Sequence, residues 1–173
     1  MRIRITKGTK DDGIEAVRDD GGRVSSRFPH KGPVPHDVTH LLVERELGMS
    51  DGFWGKVARG ADPAELGEMA KAAGHASAKR AQSPDAEIVE IVQAERIVES
   101  FEAELWSDGT DNESLRAMAA AGCEQSLVPM AAMSDSALEG IRAELRAFRD
   151  RWAMLGEGQS VELVWPEPVT VKR

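Results

Sequence analysis

Residues 2–6 read RIRIT, and this short stretch alternates arginine with isoleucine before it ends at Thr6. Alternation with a period of two predicts a β-strand with one buried face. The segments GIEAV (13–17) and RVSSRF (23–28) flank the turn sequence DDGG (19–22), which is typical of a β-hairpin. Far along the chain, QSVELVW (159–165) repeats the alternation of residues 2–6. We therefore predict a small antiparallel sheet made of an N-terminal strand plus hairpin and a C-terminal strand.

The predicted sheet needs one apolar face toward a core. Its candidates are the apolar residues that alternate with polar ones in these segments: Ile3, Ile5, Val24, Phe28, Val161, Leu163 and Trp165.

The middle of the chain, residues 34–156, has the spacing and start signals of helices. Asp62, Thr110 and Ser136 each stand three residues before a glutamate, an arrangement that caps a helix N-terminus. We predict an α+β fold that is predominantly helical, with about six helices. The 173 residues fit a single domain, residues 1–173, made of an N-terminal β-element (1–30), the helical region (34–156) and a C-terminal strand (159–165).

Composition excludes several functional classes. The chain has one cysteine, Cys123, no apolar N-terminal leader and no long apolar run, so we expect a soluble, cytoplasmic protein without membrane contact. The net charge is −8, and residues 61–173 hold eleven Lys or Arg against twenty-one Asp or Glu. So acidic a region would repel a phosphate backbone, and we expect no nucleic-acid partner.

The segment VPHDVTH (34–40) carries two of the four histidines of the chain. On a helix that starts near Pro35, His36, His40 and Glu44 fall within about 80° of arc, and Asp37 lies beside them. Histidines at i and i+4 can direct both rings to one ion. His36-Asp37-Val38-Thr39-His40 thus resembles the HExxH pattern of zinc peptidases, with Asp37 in place of the glutamate that activates the bound water.

A third ligand would come from the helix predicted over residues 84–107. Glu95, Glu99 and Glu102 lie along the edge of its apolar stripe, and any one of them could be the third ligand of a single divalent metal, zinc, iron or manganese. We select Glu99 from these three. A structural interpretation competes with this one. Asp37 stabilises a helix N-terminus by its charge alone, and Arg96 can neutralise the glutamates.

Two functional hypotheses follow. The sequence favours a non-catalytic binding or interaction protein that needs no cofactor and acts through its acidic helices and the aromatic pair of GFWG, Phe53 and Trp54, with a protein partner or in a homo-oligomer. The same pair also suits a simple hydrophobic plug. The alternative is a metal-dependent hydrolase with His36, His40 and Glu99 as ligands and Asp37 or Glu44 as catalytic residues.

Overall fold

A computed structural model describes residues 1–80, 84–107 and 109–166, with the backbone alone for residues 73–80. It confirms the α+β fold and the predicted sheet. Four strands, β1 (Arg2–Thr6), β2 (Asp11–Val17), β3 (Arg23–Pro29) and β4 (Ser160–Val164), form one antiparallel sheet in the order β3-β2-β1-β4. The segment RIRIT is therefore an inner strand, paired with the hairpin on one side and with the C-terminal strand on the other.

The register of the sheet puts its apolar residues on one face. Ile3 lies opposite Ala16 and Leu163, and Ile5 lies opposite Ile14 and Val161. Both isoleucines have no exposed surface. Of the predicted face, Val161 and Trp165 are also buried, whereas Val24, Phe28 and Leu163 are half-buried and pack against the core.

The helical region contains six α-helices within the described residues. Their bounds, in chain order, are α1 (His36–Glu46), α2 (Phe53–Ala58), α3 (Pro63–Arg80), α4 (Val89–Ser107), α5 (Asn112–Gln125) and α6 (Asp135–Met154). A short 3₁₀ turn (Ala86–Ile88) leads into α4. Among the described helices, none combines the length and the apolar character needed to cross a membrane.

The structure confirms one of the three predicted helix caps and corrects the other two. Asp62 caps α3 as predicted, because its carboxylate accepts the N–H groups of Ala64 and Glu65. Helix α5 begins one residue later than the prediction, so that Asp111 and not Thr110 is its cap. Helix α6 begins earlier, and Ser134 instead of Ser136 accepts the N–H of Ala137.

Helix α1 lies at the centre of the molecule. It packs against α2, α4 and α6, and every residue from Val38 to Glu44 is buried. A helix buried all round must provide partners for any polar side chain that it carries. The two polar side chains of the buried stretch that carry titratable groups, His40 and Glu44, therefore need partners inside the protein.

Candidate metal centre

His36 and His40 lie on successive turns of α1, as their spacing predicts. Their ring centroids are 4.7 Å apart, and the planes meet edge to face at 71°. His40 is buried with 6% of its surface exposed, whereas His36, at the first residue of the helix, remains exposed. One ring therefore faces the interior and the other borders solvent.

Glu95 on α4 faces both rings. Its Oε2 atom lies 3.0 Å from His40 Nε2 and 3.6 Å from His36 Nε2. One ligand atom from each of the three residues lies within 4.8 Å of the others. Ligand atoms about 2.1 Å from a tetrahedral ion would be about 3.4 Å apart, so two nitrogens and one oxygen are close to the spacing that such an ion needs.

The other nitrogen of each ring is occupied by a different carboxylate. His36 Nδ1 donates to Glu102 Oε1 at 2.8 Å, and His40 Nδ1 donates to Glu44 Oε1 at 3.0 Å. Histidines that bind metals generally donate their second N–H in this way, which fixes the tautomer and the orientation of the ring. Both Nε2 atoms are thus directed at one carboxylate.

Glu44 is itself held by the start of α2. Its Oε2 atom accepts the backbone N–H of Trp54 at 2.8 Å, and Glu44 has no exposed surface. Gly52 permits this approach, because a Cβ atom there would stand 2.6 Å from Glu44 Oε2. The indole N–H of Trp54 donates to the carbonyl of Asp37 at 2.9 Å, which ties α2 back to the first turn of α1.

The electrostatics of the cluster are dominated by these contacts. Burial opposes the charged form of each ring, yet hydrogen bonds to Glu102 and Glu95 raise the pKa of His36 to about 10, and hydrogen bonds to Glu44 and Glu95 raise that of His40 to about 9. Glu95 is buried too, but its contacts with both rings hold the pKa of its carboxyl far below the ordinary value. Without a metal, the rings are therefore protonated at neutral pH.

Two other carboxyls of α1 are shifted in the opposite direction. Burial raises the pKa of Asp37 and outweighs the attraction of His40 and His36. Burial likewise raises the pKa of Glu44, despite its hydrogen bond to His40.

The structure brings together some of the predicted site residues and leaves others apart. His36 and His40 converge, but Glu95 and not Glu99 completes the group of three. Glu99 pairs with Arg96 at 2.7 Å, as the structural interpretation predicts for these glutamates. Asp37 lines the cavity beside the histidines, while Glu44 lies behind His40 and is not among the residues that line the cavity.

A cavity of about 690 Å³ opens beside the cluster. His36, Asp37, His40 and Glu95 form its polar wall. The remaining walls come mainly from apolar side chains of the sheet, α2, α3 and α4: Ile14, Val24, Phe28, Phe53, Trp54, Pro63, Ala64, Ala70, Ile91 and Val92. Phe53 and Trp54 thus line a pocket, and Trp54 is only 2% exposed. Sequence reasoning missed the sheet and α3 as walls, because neither carries a chemical motif.

Comparison of the chain with models of protein families, with curated proteins and with solved structures finds no match in any of the three.

Proposed function

We propose that the protein is a metal-dependent hydrolase that holds one divalent ion, zinc, iron or manganese, through His36, His40 and Glu95. The observation that carries this proposal is the convergence of both Nε2 atoms on one Glu95 oxygen while each Nδ1 is occupied by its own carboxylate. Two histidines and one carboxylate leave a coordination position open for water in catalytic zinc sites. All three ligands also line the cavity, where a substrate would meet that water.

Asp37 is the residue we assign to proton transfer. It lines the same cavity, and burial raises the pKa of its carboxyl above the ordinary value. A bound divalent ion lowers the pKa of its water. An ion held by His36, His40 and Glu95 would supply an activated water for the hydrolysis of an ester or amide. Asp37 would accept the proton of that water and return it to the leaving group as the bond to carbon breaks.

The first test is metal content. After incubation with zinc and gel filtration, the protein should hold about one equivalent by elemental analysis, and its melting temperature should rise. His40→Ala should abolish binding, and His30→Ala, the same substitution at an exposed histidine outside the cavity, is the matched control. A protein that keeps no zinc and melts at the same temperature with and without it would overturn the proposal.

The second test separates binding from catalysis. Asp37→Asn should retain zinc and lose most hydrolysis of p-nitrophenyl acetate, a small ester used as the probe. The conservative Asp37→Glu should recover part of the rate, because it restores a carboxyl. Zinc binding with no zinc-dependent hydrolysis in the wild type would instead support a non-catalytic binding protein, for which the largely apolar cavity is the supporting observation.

A further inference from the structure

The cavity beside the candidate metal centre has a polar side and a mainly apolar side. Its main polar wall comes from α1 and α4, where His36, His40 and Glu95 lie, and the other walls come mainly from apolar side chains of β2, β3 and α2, with Ser25 and Ser26 of β3 between them. A volume of about 690 Å³ is within the range of pockets that hold small organic ligands. A molecule that reaches the metal centre and fills the cavity must therefore have one polar end and an apolar body.

Helix α3 leaves the apolar part of the cavity open. Its residues that face the cavity include Ala64, Gly67 and Ala70, whose side chains are too small to fill the space. A Cβ atom at Gly67 would meet no atom within 4 Å. The empty volume therefore continues up to the backbone of α3 at Gly67, where no side chain blocks it.

The two cations that line the cavity each pair with a carboxylate, Lys71 with Glu68 at 2.9 Å and Arg96 with Glu99 at 2.7 Å. The Lys71–Glu68 pair is largely exposed, so it contributes little to binding inside the cavity. The buried Nε of Arg96 has no hydrogen-bond partner among the described residues. Apolar side chains form most of the remaining lining, so the body of the ligand is mainly apolar.

We infer that the substrates are acyl compounds, esters or amides, whose mainly apolar acyl group lies between the sheet and α3 while the carbonyl faces His36, His40 and Glu95. This inference rests on the proposed function, because the carbonyl is placed by the metal. A carbonyl oxygen is a ligand that a divalent ion polarises. The acyl group gains affinity by removing its apolar surface from water against the walls of the cavity.

The experiment uses n-alkyl hydroxamates, from acetohydroxamate to octanohydroxamate, titrated calorimetrically into the zinc-loaded full chain. The head group binds zinc, and the alkyl chain reports on the apolar part of the cavity. In the wild type, Kd should fall about fourfold for each added methylene until the cavity is filled. Gly67→Leu should bind acetohydroxamate with unchanged Kd but lose this dependence on length.

The matched control is Ala72→Leu, which adds the same side chain to α3 at an exposed position outside the cavity. It should behave as the wild type. Both variants should melt at or above the wild-type temperature, because leucine is not a poorer helix former than glycine and nearly equals alanine. A correctly folded Gly67→Leu protein that retains the full dependence on chain length would overturn the inference.

The outcomes separate this inference from the proposed function. If acetohydroxamate binds the zinc-loaded wild type but Kd does not change with chain length, the acyl subsite is refuted and the metal centre stands. If the wild type binds neither zinc nor acetohydroxamate, the metal centre itself is refuted and the placement of the carbonyl falls with it.

Discussion

Gly52 shows how a single residue without chemistry of its own can determine the geometry of the centre. Its backbone lies so close to Glu44 that a Cβ atom would stand 2.6 Å from one carboxylate oxygen and 2.8 Å from the carboxyl carbon. That carboxylate accepts the N–H of Trp54 and holds Nδ1 of His40. The glycine of GFWG therefore acts through Glu44 on His40, a proposed metal ligand.

We predict that Gly52→Ala weakens zinc binding by about tenfold to a hundredfold, the range found when residues that orient a metal ligand are changed. The added methyl group pushes Glu44 away from Trp54 and lets the His40 ring rotate. Competition with a chromophoric chelator measures the affinity. Gly13→Ala is the control, because a Cβ atom there meets only Thr6 Cβ at 3.9 Å, an ordinary contact. Equal zinc affinity in both variants would show that Gly52 has no such role.

At the scale of elements, the pairing of α1 with α4 explains why Glu95, and not Glu99, lies beside the two histidines. On a helical wheel Glu102 lies about 20° from Glu95, whereas Glu99 is rotated about 40° to the other side, toward Arg96. Arg96 packs beside α5, within about 3.0 Å of where a Cβ atom of Gly122 would be. The angle at which two helices cross is set by their packed side chains. No local pattern in α4 specifies it.

Three of the five glutamates of α4, Glu95, Glu99 and Glu102, provide a matched series of variants. Glu95→Gln should abolish zinc binding, because it removes the anionic ligand. Glu102→Gln should weaken binding by about tenfold or more, because it loosens Nδ1 of His36 without removing a ligand. Glu99→Gln should bind zinc like the wild type, since Glu99 pairs with Arg96 alone. If Glu99→Gln loses zinc while Glu95→Gln retains it, the assignment of ligands is incorrect.

The strands, the helix caps and the cavity differ in how well the sequence alone predicts them. The alternation in RIRIT and QSVELVW predicts strands and their buried face, because side-chain direction follows directly from a period of two. The caps of α5 and α6 are ambiguous, since two residues able to cap stand near each start: Thr110 and Asp111, Ser134 and Ser136. The cavity is not predictable, because it depends on where α3 lies relative to the sheet. Gly67 can be recognised as a residue that lines the cavity only when the position of α3 is known.

For the whole molecule, the cluster links stability to pH. The pKa values of His40, about 9, and His36, about 10, lie above the value near 6.5 expected in an unfolded chain. The folded, metal-free protein therefore binds protons more tightly than the unfolded chain does. The stability that these rings contribute is fully present below about pH 6.5, and it is lost as the pH rises through about 9 and 10.

Metal binding should have the opposite pH dependence, because an ion at both Nε2 atoms must displace their protons. We predict that zinc binding at pH 7 releases about two protons, measured by calorimetry in buffers of different ionisation enthalpy, and that affinity rises with pH. The difference in melting temperature between the zinc-loaded and metal-free proteins should accordingly widen from pH 6 to pH 9. His36→Gln removes one of the three proposed ligands and should lose zinc binding, and with it the release of protons. Zinc binding without proton release would mean that the ion is held elsewhere, since carboxylates at both nitrogens of His40 keep that ring protonated at pH 7 in the metal-free protein.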